Sequence, residues 1–304
     1  NIDAGSYTVN ADSSLTQAAG STVTGTVTFD VDDTGSATVG DFNNADATVT
    51  GALQGGNING GSLSVTAGST FAQNSGSTIT GTSSINNQNA DTAGSVSLGT
   101  VTDDAVVTVD SQITGSVTDG TVFAGLDSGT IKGANGGDVI TIAGDIGNTN
   151  AGLTTVNLGG ATLDESIKVY GTDGQIIYGG DSLDNRTIIN VNNGSTFDGA
   201  TTTDVTGYVD FRVSELNGAY ASVKDLNDAT VRSAGDFIVA GSFNNSTLSA
   251  LEGSNIDIEV ETDIVGGDFI LGEGDTLNQT AGHTISGDSA VTNNSTQVGS
   301  ANVG

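Results

Sequence analysis

Short alternations of apolar and polar residues run along the whole chain. Ser-Leu-Ser-Val at 62–65, Ala-Val-Val-Thr-Val at 105–109 and Val-Ile-Thr-Ile at 139–142 are typical, each bounded by Gly, Asn or Asp. Period-two alternation puts successive side chains on opposite faces, so these segments read as half-buried strands separated by turns. The best helix candidate is a single turn at 214–216. The apolar residues also keep a longer interval. Leu15, Val23, Val31 and Val39 lie eight residues apart, and Leu63, Phe71 and Ile79 repeat that step. One apolar residue per short strand, with a turn after each, is what a coil of short strands needs.

Three segments align over twelve positions. They are Ser14-Leu-Thr-Gln-Ala-Ala-Gly-Ser-Thr-Val-Thr-Gly25, Thr70-Phe-Ala-Gln-Asn-Ser-Gly-Ser-Thr-Ile-Thr-Gly81 and Thr276-Leu-Asn-Gln-Thr-Ala-Gly-His-Thr-Ile-Ser-Gly287. Gln17, Gln73 and Gln279 fall at one place, and a Gly closes each copy. The copies stand 56 and 206 residues apart, both near multiples of roughly 19, a coil length for a solenoid. The pattern predicts an all-β chain folded as a parallel β-solenoid over residues 1–304. Apolar ladders fill its inside, and Asn, Thr and Ser stack at its corners. The alternative is a tandem pair of β-sandwich domains, which show longer strands, more aromatics and turn prolines.

Composition sharpens this reading. The 304 residues include 46 Gly and no Pro, Cys, Met or Trp. A chain without Pro keeps every N–H that an inner strand needs for its ladder. Aromatics are only 5% of the residues, which leaves a narrow core of Val, Ile, Leu and Ala. Without Cys there are no disulfides and no thiol chemistry.

The formal net charge is -30. All six basic residues (Lys132, Lys168, Arg186, Arg212, Lys224 and Arg232) lie within residues 132–232. Such a chain has little with which to neutralise a phosphate backbone, so nucleic acid is a poor partner, and so is an anionic membrane. Cations or salt are needed to screen the acids. No apolar run reaches the roughly 20 residues that span a bilayer as a helix. A chain starting at Asn1 is consistent with a secreted protein whose signal peptide has been removed.

The phrases Ala67-Gly-Ser-Thr-Phe71 and Gly76-Ser-Thr-Ile-Thr-Gly81 resemble the β-helical passenger regions of bacterial autotransporters and large adhesins. Tyr178-Gly179-Gly180-Asp181-Ser182-Leu183-Asp184 resembles the calcium-binding nonapeptide of RTX proteins, including those of surface layers. It keeps the glycine pair and the sixth-position Asp, and it has Arg186 where the family has an aliphatic residue. Gly133-Ala-Asn-Gly-Gly-Asp138 is a second, more degenerate copy. These resemblances imply an extracellular β-helix, with Asp181 and Asp184 as candidate Ca²⁺ ligands.

The residues supply another candidate independently. In the run from Ile256 to Ile264, alternation sets Asp257, Glu259, Glu261 and Asp263 on one face, with alternate residues about 6.6 Å apart. Hard cations favour such oxygen-rich surfaces. The plain alternative is a solvated strand face that also discourages edge pairing. Asp30, Asp32 and Asp33 form a further cluster at a strand end and read as a turn. The single histidine, His283, aligns with Ser21 and Ser77 of the repeat, a polar turn position. Catalysis would have to proceed without His or Cys, with Asp181, Asp184 and Arg186 as its best candidates.

The sequence therefore predicts a non-enzymatic extracellular protein that associates with itself into a surface filament or surface layer. It requires no cofactor, with Ca²⁺ as an optional stabilising ion. Strand-like ends at residues 1–9 and 297–303 favour stacking or strand exchange between copies. The alternative is the passenger or stalk of a cell-surface adhesin, whose basic, tyrosine-containing stretch at 165–232 contacts a cell surface or glycan.

Overall fold

The computed structural model describes residues 1–88, 96–102, 105–111, 121–135, 138–147, 153–172, 174–214, 218–251, 257–271, 274–293 and 300–302. The helical-turn candidate at 215–216, together with Ile256 and residues 297–299 and 303, lies outside them. The described residues form 26 β-strands and two 3-10 turns of three residues each. The chain divides into two compact units, Asn1–Ala143 and Gly144–Gly304.

In each unit the strands stack in parallel, coil upon coil, which is the β-solenoid that the alternation predicts. Sandwich domains would require antiparallel ladders. In the first unit three apolar ladders define the inside. Ile2, Val23, Phe42 and Ile58 form one, and Val27, Ala47, Leu63 and Ile85 a second. Leu15, Ala37, Leu53 and Phe71 form the third. The eight-residue spacing is the step from one ladder to the next, since Leu63, Phe71 and Ile79 sit on three different ladders. The 56-residue interval between Gln17 and Gln73 is three coils, through the partners of Leu15, Ala37, Leu53 and Phe71. Coil length varies, because corners absorb insertions. It is 16 residues between Ala47 and Leu63 and 25 between Val96 and Thr121.

The second unit repeats the plan. Val205, Leu226, Phe243 and Ile264 form one ladder, Val209, Val231, Leu248 and Phe269 another, and Phe197, Ala221, Phe237 and Ile258 the third. All nine phenylalanines of the chain lie at 3% exposure or less. The aromatics are few, yet every Phe is inside, where burial of each contributes about 1.5–3 kcal/mol. Phe243 and Phe269 stack with ring centroids 4.5 Å apart.

Corners recur in register. In eight of the described coils one corner holds a residue in the left-handed region: Gly25, Asn44, Gly60 and Gly81 in the first unit, and Gly207, Asp228, Asn245 and Gly266 in the second. Each stands two residues after an inward apolar residue, and there the strand bends from one ladder to the next. Gly, Asn and Asp are the residues that adopt this conformation most cheaply. At Gly99 the constraint is a close approach instead, because a methyl group there would lie 2.0 Å from the carbonyl oxygen of Ser77.

Candidate functional site

The glutamine shared by the three repeat copies ties coils together. Gln73 Nε2 donates to the carbonyls of Gly56 (2.8 Å) and Thr78 (3.4 Å), and its Oε1 accepts from the backbone N–H of Gly99 at 2.7 Å. One side chain thus bonds the coil before it, its own and the coil after. Gln17 Oε1 accepts from Gly40 N–H at 2.9 Å in the same way. Gln279 Nε2 donates to Thr262 and Thr284 carbonyls at 3.0 and 3.3 Å.

A second recurrent device uses acids and asparagines. The residue just before an inward Ile or Phe takes the backbone N–H of a neighbouring coil on its Oδ1. Asn1 accepts from Thr22, Asp41 from Asn57, Asn57 from Thr78, Asp145 from Ile176 and Asp263 from Thr284, all at 2.7–3.1 Å. Where the acceptor is Asp41, Asp145 or Asp263 the bond is charge-assisted and stronger than a neutral one. On the outer faces Asn190 donates to Asn157 at 2.7 Å and Asn244 to Asn227 at 2.9 Å. These are the asparagine ladders that the composition suggests.

The predicted acidic strip is divided. The strand Asp257–Val260 ends before Glu261, and pairing resumes at Ile264. Asp257 and Glu259 are exposed on the outer side of that strand, over buried Ile258 and Val260. Asp257 accepts from the Thr276 hydroxyl. Glu261 is exposed and its N–H bonds Val239. Asp263 sits in the turn beyond, beside His283 Nδ1 at 3.5 Å. The Thr284 N–H that bonds Asp263 holds its carboxyl below the usual range. A turn, rather than one continuous strand, therefore separates the pairs.

Asp181 and Asp184 lie on the exposed turn that carries the 3-10 segment Leu183–Asn185. Asp181 Oδ1 accepts from Asn185 Nδ2 at 2.9 Å, and that bond lowers its pKa. Among the described residues no group of three or more His, Cys, Asp or Glu is placed to hold a metal ion. Asp32 accepts from Ala11 N–H at 3.0 Å within a turn. His283 is a half-exposed turn residue.

Three further carboxyls are buried or stacked: Asp138, which closes the degenerate nonapeptide copy, and Asp204 and Asp225, which no sequence motif marks. Asp138 is 0% exposed and accepts from the N–H groups of Ser111, Ala134 and Asn135 at 2.9–3.1 Å. Burial pushes its pKa up, against the pull of those bonds. Asp204 and Asp225 are direct register partners, with Lys224 Nζ 3.8 and 3.2 Å from them. Burial and the Asp225 charge raise Asp204. In Asp225, burial is outweighed by Ser242 and Lys224, and its pKa falls.

The densest charged group surrounds Asp210, whose side chain is 1% exposed. Its Oδ1 accepts from Arg232 Nε, and its Oδ2 from Arg186 Nε and Arg232 Nη2, each at 2.6 Å. Arg186 Nη1 also donates to the Leu183 carbonyl. Arg186 is thus held by Asp210, 24 positions away, rather than by Asp181 or Asp184. The sequence signal for this cluster was the run Tyr208-Val-Asp210-Phe-Arg212, a charged face on an apolar alternation inside the only basic stretch.

No protein-family model, curated protein or solved structure matches this chain.

Proposed function

We propose that this is an extracellular, non-catalytic structural protein whose copies associate into a surface filament or surface layer. The observation that carries the reading is the use of its polar side chains. Gln, Asn and Asp groups at equivalent places in successive coils are engaged in bonds between coils, in both units. Side chains held this way stiffen a stack and are not free to act on a substrate.

At a net charge of -30, association requires screening, and Ca²⁺ at the outer acids is the natural means. Sedimentation velocity of the full chain across salt and Ca²⁺ concentrations tests this. Polymers that grow as salt or Ca²⁺ rises are expected. A monomer under every condition would refute the proposal, and a melting temperature indifferent to EGTA would refute the calcium part.

A second reading, the passenger or stalk of an adhesin, is favoured by the arginine- and tyrosine-bearing outer face around Asp210. Under that reading, charge reversal on this face abolishes attachment to cells while the fold is kept.

A further inference from the structure

Three guanidinium groups surround Asp210, and one of them is surplus to its needs. The bonds from Arg186 and Arg232 occupy both carboxylate oxygens. Arg212 lies two positions along the same face of the strand Thr196–Val213, with its side chain 45% exposed. Its Nη2 stands 3.7 Å from Asp210 Oδ2, beyond hydrogen-bonding range. Among the described residues Arg212 makes no hydrogen bond through its guanidinium. Three positive charges thus share one buried negative charge, inside a chain whose net charge is -30.

The surroundings of Arg212 are open and polar. Its register neighbours are Asn190 on one side and Ala234 on the other. The Ala234 methyl leaves the surface low beside the guanidinium. Asn190 uses its Nδ2 on Asn157, which leaves its Oδ1 to accept a bond. Tyr208, half-buried, sits on the same face four positions before Arg212, at about 13 Å by strand rise.

We propose that this face binds a saccharide through a sugar carboxylate. The Arg212 fork takes the carboxylate in the bidentate geometry that guanidinium favours. Asn190 Oδ1 takes a hydroxyl donor next to it, and Tyr208 borders the chain of sugar rings. A uronic acid residue carries a hydroxyl donor close to its carboxylate, which matches an amide oxygen beside the guanidinium fork. The inference goes beyond the assembly reading and holds whether or not copies associate.

The test is titration calorimetry of the full chain with an oligogalacturonate, alongside its fully methyl-esterified form. Saturable binding of the acid is expected, with the ester at least tenfold weaker. Arg212→Gln should weaken binding tenfold or more with an unchanged melting temperature, since its guanidinium makes no hydrogen bond within the fold. Arg212→Lys should fall between, because an ammonium is a point charge without the fork. Asn190→Ala should weaken the acid form several-fold and leave the ester unaffected. Absence of saturable binding, equal binding of the ester, or unchanged affinity in Arg212→Gln would overturn the proposal. So would an Arg212→Gln protein that binds the saccharide normally but sediments differently, which would make the face a contact between copies.

Discussion

The units Asn1–Ala143 and Gly144–Gly304 solve the same packing problem with different polar chemistry. The first carries 14 acids and one base, Lys132; the second carries 22 acids and five bases. Strands of the first are at most 10 residues long, whereas three consecutive strands of the second run to 18, 15 and 14. Among the described residues of the first unit, the buried carboxylate Asp138 is satisfied by backbone N–H groups alone. In the second a buried carboxylate, Asp210, is satisfied by arginines. The corner conformation and the coil-to-coil acceptors are common to both. The lesson is that backbone geometry sets the solenoid, while the means of burying charge is free to vary from one stretch to the next.

Breaking the comparison at Asp210 should have the largest effect. Asp210→Asn leaves Arg186 and Arg232 without their counter-charge, and removing one partner of a buried pair costs about 3–5 kcal/mol. Amide hydrogen exchange should accelerate in the strands Thr187–Val191, Thr196–Val213 and Tyr220–Ala234, and stay unchanged in the first unit. Uniform acceleration in both units would mean that they do not unfold independently.

Gln73→Ala should be the next largest, this time in the first unit. It strands the Gly99 N–H and the Gly56 carbonyl, and an unsatisfied buried group costs about 1–3 kcal/mol. Exchange at Gly99 and in the strands Thr70–Gln73 and Val96–Val101 reports it. An unaltered urea midpoint would remove the glutamine from the account.

The role of that glutamine shows what sequence could and could not disclose. The alternation, the eight-residue step and the 56-residue interval all follow from strand geometry, so the parallel solenoid was legible in residues such as Leu63, Phe71 and Ile79. The shared Gln was visible as a repeat position, but its three partners come from separate coils and have no local signature. The acidic run was read as one strand because its alternation is unbroken. Yet Glu261 to Asp263 form a turn, with Asp263 bonded to Thr284 twenty-one residues on, a tertiary demand that overrides the local period. Asp210 escaped notice because its arginines lie 24 and 22 positions away.

The smallest expected difference is in acid response. Among the described residues of the first unit the shifted carboxyls are Asp127 and Asp138, both raised by burial. For a raised carboxyl the unfolded form ionises first as pH climbs past 3.8. Its contribution to stability is therefore greatest below that value and is lost as pH rises toward the folded pKa. In the second unit Asp181, Asp225 and Asp263 are lowered while Asp204 and Asp236 are raised. The lowered groups add stability that is present above 3.8 and lost as pH falls through their folded values. Between pH 7 and pH 4 the first unit should gain protection against exchange relative to the second, and below pH 3.8 the second should lose protection faster. Parallel pH profiles would contradict this assignment.

The central proposal is that a solenoid stapled by its own polar side chains associates copy to copy once its acids are screened. Negative-stain microscopy of the full chain across salt and Ca²⁺ concentrations tests it most directly. The account predicts long polymers that grow as salt or Ca²⁺ rises. Single particles under every condition would contradict it.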